Sequence, residues 1–184
     1  MTKKQKIMPQ FNLQPTLENE FVKIQPLKES DFEILYGIAS DPFIWEQHPN
    51  KDRYKREVFE TFFKGAIESG GAFLVFDKQT KEAIGSSRFY ELDADKSSVA
   101  IGYTFFAKDH WGSTYNPALK KLMLNHAFQF VDSVYFHIGA LNIRSQKAIE
   151  RLGAKKVSEI EMEYYGEPSK LNFLYEIKKL DWIK

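Results

Sequence analysis

The chain of 184 residues carries 26 Lys and Arg against 25 Asp and Glu, a formal net charge of +1, with both signs spread along its length. That balance excludes the long-range field of a protein built for nucleic acid or a membrane surface. With no cysteine there is no disulfide framework and no thiol nucleophile, and the four scattered His do not make a zinc site. The length suits one domain with its own core. The start, MTKKQKIMPQ, lacks the apolar core of a signal peptide, and no run reaches the roughly 20 apolar residues of a spanning helix, so the expectation is a cytoplasmic protein.

Residues 1–18 are polar, contain Pro9 and Pro15, and predict a loosely held arm on a single domain over 19–184. FVKIQPL (Phe21 to Leu27) alternates like a half-buried strand. Ser30 and Glu33 match a capping box before a helix with Phe32, Leu35, Tyr36 and Ala39 on one face. REVFETFFKGAIES predicts a second helix, stopped by Gly70-Gly71. Three strands follow, in AFLVFD, AIGSSRFYEL and SVAIGYTFF, and read as an antiparallel meander. From Pro117 a helix places Leu119, Leu122, Met123, His126 and Phe130 near one face and leads to the strand VYFHIG, a unit long enough to cross over between parallel neighbours. NIRSQKAIERLGA is a further helix with Asn142 as N-cap and Gly153 past its end. KVSEIEMEYY and LNFLYEI close the chain as strands around the turn GEPS. The expected order is βααβββαβαββ, a mixed sheet with helices on both faces.

HWGSTYNPALKK holds the chemistry. Gly112 can take a positive φ and turn successive backbone amides inward. Asn116 is a favoured N-cap with Pro117 at the first helical position, and a helix dipole here favours an anion. An anion cradle and a simply capped helix are both open. The spacing is neither a P-loop nor a dinucleotide fingerprint.

GYTFFAKDHWG followed by N-x-x-S-x-x-A-x-x-x-L-G-A, within this order of elements, resembles the GNAT N-acetyltransferase superfamily from about residue 15 to 178. PTLENEFVKIQPLKESDFEILYGIASDPFIWEQHP is similar to the branch of ribosomal-protein N-terminal acetyltransferases. The resemblance implies a mostly antiparallel sheet with one splayed parallel strand pair. The pantetheine arm of acetyl-CoA would lie in that gap and pair with backbone near Phe106. It implies a pyrophosphate loop over Trp111, Gly112, Ser113, Thr114, Tyr115 and Asn116, where Thr114 and Asn116 depart from the family's Gly-rich pattern, and cofactor contacts from Asn142 and Ser145. Capping is the other role for those last two.

On the same resemblance, His137 occupies a position where relatives carry a Glu base; an interior strand His is the alternative. Imidazole suits proton abstraction near pH 7. The family's acid Tyr falls at Ile149, and the Glu of this branch at Ala118. His126 reads as structural; His110 binds a phosphate or is solvated. Trp45 and His48 would wall an acceptor pocket or anchor their loop, and Tyr103 faces the cofactor or the core. An α-amine, with a pKa of about 8, is far more often unprotonated than Lys, at about 10.4. The expectation is therefore acetyl transfer from acetyl-CoA to a primary amine, foremost a protein or peptide N-terminus, without metal, nucleic acid or membrane partners. A small-molecule amine acetyltransferase and a catalytically weak CoA-binding module are the alternatives. Oligomeric state is not legible.

Overall fold

The computed structural model describes residues 10–112 and 114–182. Its elements are β1 (Leu17–Glu18), β2 (Val22–Pro26), α1 (Phe32–Ala39), α2 (Arg56–Glu68), β3 (Ala72–Asp77), β4 (Ala83–Asp93), β5 (Ser98–Phe106), α3 (Tyr115–Ala127), β6 (Ser133–Gly139), α4 (Ile143–Glu150), β7 (Lys155–Met162), β8 (Lys170–Lys178) and α5 (Lys179–Trp182). The expected order stands, with β1 and α5 added as short pieces. Among the described residues no helix is long and apolar enough to cross a membrane.

One eight-stranded sheet runs β1-β2-β3-β4-β5-β6-β8-β7 and is antiparallel except for β5 with β6. That pair is joined through α3, as a parallel neighbour requires. Each face carries its own apolar core. On one, Val99, Ile101, Phe89, Val134 and Phe136 meet Leu119, Met123 and Ile149 of α3 and α4. On the other, Leu74 and Phe105 meet Leu35, Phe59, Phe62 and Phe63 of α1 and α2. Helices at period 3.6 thus bury one stripe against strands at period 2 on each side.

The described part of the expected loose arm, 10–18, is held down. Phe11 packs edge-on to Phe89 and Phe130, and the Asn12 carbonyl lies 3.0 Å from His126 Nε2, which confirms His126 in a structural role. The Ser30/Glu33 capping box does not form. Residues 29–31 make a 3-10 turn in which Asp31 accepts from the Lys28 amide at 2.9 Å, so α1 starts at Phe32. Glu33 is drawn instead into an ion pair with Arg56 of α2.

Candidate active site

Between Gly102 and Phe105, β5 carries one residue more than the β4 segment opposite it. Arg88 faces Gly102, Ser86 faces Phe105, and Tyr103 takes a φ of 53°. Such a bulge bends its strand and disrupts pairing on that stretch. The parallel register of β5 and β6 is Ser98↔Ser133, Val99↔Val134 and Ala100↔Tyr135, with no sheet pair beyond. From there β5 stays with β4 as far as Phe106, and β6 stays with β8 as far as Gly139. The two strands diverge and leave a cleft of about 380 Å³. The expected splay is present, and the bulge is its local cause.

Alternation assigns the walls. Val134, Phe136 and Ile138 belong to the core under α3, so His137 projects from the opposite face. There the Tyr90 hydroxyl lies 2.7 Å from His137 Nδ1, and Glu91 Oε2 lies 3.7 Å from Nε2. Desolvation raises the pKa of the Tyr90 phenol well above the ordinary value, and among the described residues its hydrogen-bond partner is His137. In the tautomer with the ring proton on Nε2, toward the carboxylate, the hydroxyl donates to Nδ1. Burial lowers the His137 pKa to about 4, which keeps the ring neutral at pH 7. It also makes the ring a weaker base than its ordinary value promises. Burial raises Glu91, which stands at a second irregularity of β4 with a φ of 50°. A left-handed, non-glycine residue of this kind marks stored strain.

The loop into α3 is pinned at both ends. The Trp111 indole donates to the Phe106 carbonyl at 3.0 Å, and the Arg144 guanidinium lies 4.0 Å over its ring. Tyr115 donates to Asp77 at 2.6 Å, tying the start of α3 to the β3–β4 turn. That bond, offset in part by burial and helped by the Gln79 and Thr80 amides, holds the Asp77 carboxyl below its usual range. Gly112 has a φ of 123°, a conformation that favours glycine. Asn116 is not the N-cap. The helix begins at Tyr115 with Thr114 at the cap position and no side-chain cap bond. Pro117 is tolerated there because first-turn amides have no intrahelical partner. Asn116, Trp111 and Gly112 line the cleft, whereas the Thr114 and Tyr115 side chains do not. Ser113 lies outside the described residues. His110 also lines the cleft, and its buried Nδ1 has no partner among the described residues. An unpartnered ring nitrogen, a glycine turn and open helix amides fit an anionic phosphate group.

Asn142 caps α4, its side chain accepting from the Ser145 amide at 3.1 Å, and both residues line the cleft. Capping and exposure to the cleft therefore coexist. At the other end stand His48, Tyr103 and Tyr164. Burial, with the Arg53 and Arg144 charges adding to it, keeps His48 neutral. Trp45 is not a wall. It is fully buried, donates to the Ala39 carbonyl at 2.7 Å and packs on Phe105. Its ring anchors the loop that presents His48. Arg53, from a 3-10 turn at Lys51–Tyr54, is buried and makes two bonds to Glu167, at 2.8 and 2.9 Å. This ties the β7–β8 connection to the acceptor end.

The residues of this site that escaped the sequence reading include Tyr90, Glu91, Arg53, Arg144, Tyr164 and Lys120. The last had a visible signal. Lys120 shares helical spacing with Met123, Leu124 and Ala127, all buried, so a cation sits on the apolar face of α3. The lining side chains include Arg53, Lys120, Arg144 and Arg151 and, among the described residues, no Asp or Glu.

A divergent parallel strand pair, a glycine-turned loop at the next helix and a polar cluster where the strands part define a cofactor-dependent acyl-transfer site. The acetyltransferase (GNAT) domain family matches residues 22–155. The chain belongs to the GNAT acetyltransferase family, which supports acetyl-CoA-dependent acetylation. In fold it is similar to a GCN5-related N-acetyltransferase from Brucella melitensis, with a TM-score of 0.77 and 17% identity over 96% of this chain and 82% of that one. A spermidine N-acetyltransferase from Vibrio cholerae, solved with CoA and spermine, gives 0.68 and 16% over 90% of this chain and 100% of that one. RimJ from Mycobacterium smegmatis, solved with CoA-disulfide, gives 0.68 and 15% over 89% and 84%. No curated protein matches the chain at a significant level.

Proposed function

We propose that the protein transfers the acetyl group of acetyl-CoA to a primary amine, foremost the α-amine of a protein or peptide. The observation that carries this reading is the Tyr90–His137–Glu91 cluster beside the point where β5 and β6 part. Bound acetyl-CoA supplies an activated thioester carbonyl. The backbone of residues 104–106 holds the arm of that ligand, and Trp111, Gly112, Asn116 and the first-turn amides of α3 take its pyrophosphate. Asn142 and Ser145 flank it from α4. Thr114 and Tyr115 contribute through the main chain.

Tyr90 fixes the His137 ring, and His137 directs its Nε2–H toward Glu91. We assign the proton leaving the acceptor amine to this pair, with Glu91 the receiving group and His137 the group that orients it. A half-exposed carboxylate raised by burial accepts a proton more readily than an imidazole held near pKa 4. An α-amine asks least of such a weak base, since about a tenth of it is unprotonated near neutral pH. His48 and Tyr103 border the acceptor.

The test is thiol release from acetyl-CoA with a panel of N-terminal peptides, polyamines and amino sugars, for wild type, His137→Ala, Glu91→Gln and Asn142→Ala. Turnover on peptides, reduced in Glu91→Gln, is expected. Stabilisation by CoA without thiol release on any acceptor would replace this reading with the CoA-binding module. Turnover on polyamines or amino sugars alone would move the acceptor class.

A further inference from the structure

The ammonium-bearing side chain of Lys120 is used by none of these steps, yet it reaches the cleft. The residue is 4% exposed, and its Nζ bonds to Thr104 Oγ1, itself bonded to Ser87. Its Nζ also lies 5.9 Å from the centre of the Phe136 ring. Among the described residues no carboxylate pairs with it. A buried ammonium with one neutral acceptor is costly as a charge, so the free amine is favoured. Burial lowers its pKa to about 7. A buried lysine of this kind is a nucleophile rather than a counter-ion.

Its position completes the case. Thr104 lies on β5 just past the bulge, and Phe136 is the first β6 residue beyond the last parallel pair. Nζ therefore sits on the floor of the opening, on the face opposite His137 and against Thr104, in the stretch of β5 to which the reading above gives the cofactor arm.

We propose that Lys120 is a site of self-acetylation, its side-chain nitrogen taking the acetyl group from acetyl-CoA bound in the cleft. This rests on the proposed cofactor position. The neutral amine attacks the thioester carbonyl, an N–C bond forms and the C–S bond breaks. The sulfur leaves with the electron pair, and the proton lost by nitrogen ends on the thiol. The products are Nε-acetyl-Lys120 and CoA, with no further reactant. The uncharged, larger side chain then occupies the floor of the opening, so modified protein binds acetyl-CoA less well and the reaction limits itself.

The experiment incubates the full chain with isotopically labelled acetyl-CoA and maps label by mass spectrometry of peptides, with the urea-unfolded chain and an excess of free CoA as parallel arms. CoA-induced thermal stabilisation is read on the same samples. Lys120 is expected to label at least roughly tenfold faster than Lys64, which is 68% exposed, because the cleft holds amine and thioester together. Excess CoA should suppress that label, and unfolding should abolish the preference. In Lys120→Arg the fast site should vanish while CoA still stabilises the protein. If CoA stabilises the wild type but Lys120 labels no faster than Lys64 or than in the unfolded chain, the proposal is wrong and the cofactor reading survives. If CoA gives no stabilisation and no fast label forms, both are wrong.

Discussion

The phenol of Tyr90 and the imidazole of His137 meet at 2.7 Å across the gap between β4 and β6, the one bonding the other's Nδ1. Gly102 lies on the strand between them, and a Cβ there would stand 3.0 Å from the Tyr90 ring and hydroxyl. In Tyr90→Phe the buried Nδ1 loses its donor, at a cost of about 1–3 kcal/mol. Chemical denaturation should read that loss. Thiol release should fall by roughly tenfold or more through kcat, with KM for acetyl-CoA little changed. Wild-type turnover in this variant would remove the pair from the chemistry.

His137 also sets a pH dependence of stability. Its folded pKa is about 4 against an ordinary value of about 6.5. Between those values the unfolded chain binds the proton and the folded one does not. Stability is therefore complete above about pH 6.5 and falls as pH drops toward 4, by the order of 2–3 kcal/mol from this residue. His48 acts in the same direction. Denaturant midpoints from pH 7 to 4.5 should show the slope, and His137→Gln should reduce it, leaving the part that His48 contributes.

Arg53 and Glu167 form a buried, two-bond pair. Removing one partner leaves an unpaired interior charge, so Glu167→Ala should destabilise by about 3–5 kcal/mol. The double variant Arg53→Met/Glu167→Leu should lie closer to wild type. Simple additivity of the two single changes, seen by equilibrium unfolding, would contradict this account.

The loop before α3 makes its own prediction. Gly112→Ala puts a Cβ at a φ of 123°, a strain of about 1–3 kcal/mol, and should weaken CoA binding by roughly tenfold. Tyr115→Phe, which frees the helix start from Asp77, should also weaken it. Isothermal titration with CoA, with circular dichroism to verify folding, decides the matter; unchanged affinity in both would place the phosphates elsewhere.

Cleft charge limits the acceptor. Of the four basic side chains that line it, Arg53 is paired with Glu167 and Lys120 is a free amine, which leaves Arg144 and Arg151 charged with no Asp or Glu in the lining among the described residues, so a polycation meets like charge. Spermidine should be acetylated with a kcat/KM at least about a hundredfold below that of a neutral peptide amine, the scale of two unfavourable charge contacts. Comparable efficiency would overturn the assignment.

Much of this arrangement was legible because it is local. Asn142 caps α4 as its residue type and spacing dictate, Gly70 and Gly153 carry positive φ at helix ends, and α2 occupies its apolar stripe. What was misread is tertiary. The Ser30/Glu33 box lost to Asp31 and to the Arg56 partner, and Asn116 yielded the helix start to Tyr115 because Asp77, far away in sequence, holds that ring. Of the two roles open to Trp45, pocket wall or loop anchor, the second holds, because its indole finds the Ala39 carbonyl inside. The Tyr90 contact with His137 spans 47 residues, and no periodicity announces which strands will face each other across a gap. The offset of β5 was equally hidden, since a bulge leaves the composition of a strand unchanged.

That offset has a second effect. Val99 and Ile101 point into the core under α3, yet Phe105, an even number of positions further on, points into the core under α2, and Phe106 returns to the first. The surplus residue at Tyr103 has inverted the parity of the strand. With that one residue deleted, Phe105 would stand an odd number of positions from Ile101 and Phe106 an even number, so regular alternation would leave both in the cores they occupy now. The offset of β5 is thus separable from the packing of both hydrophobic layers, so a lineage can lose the surplus residue by a single deletion and keep the protein folded around the site.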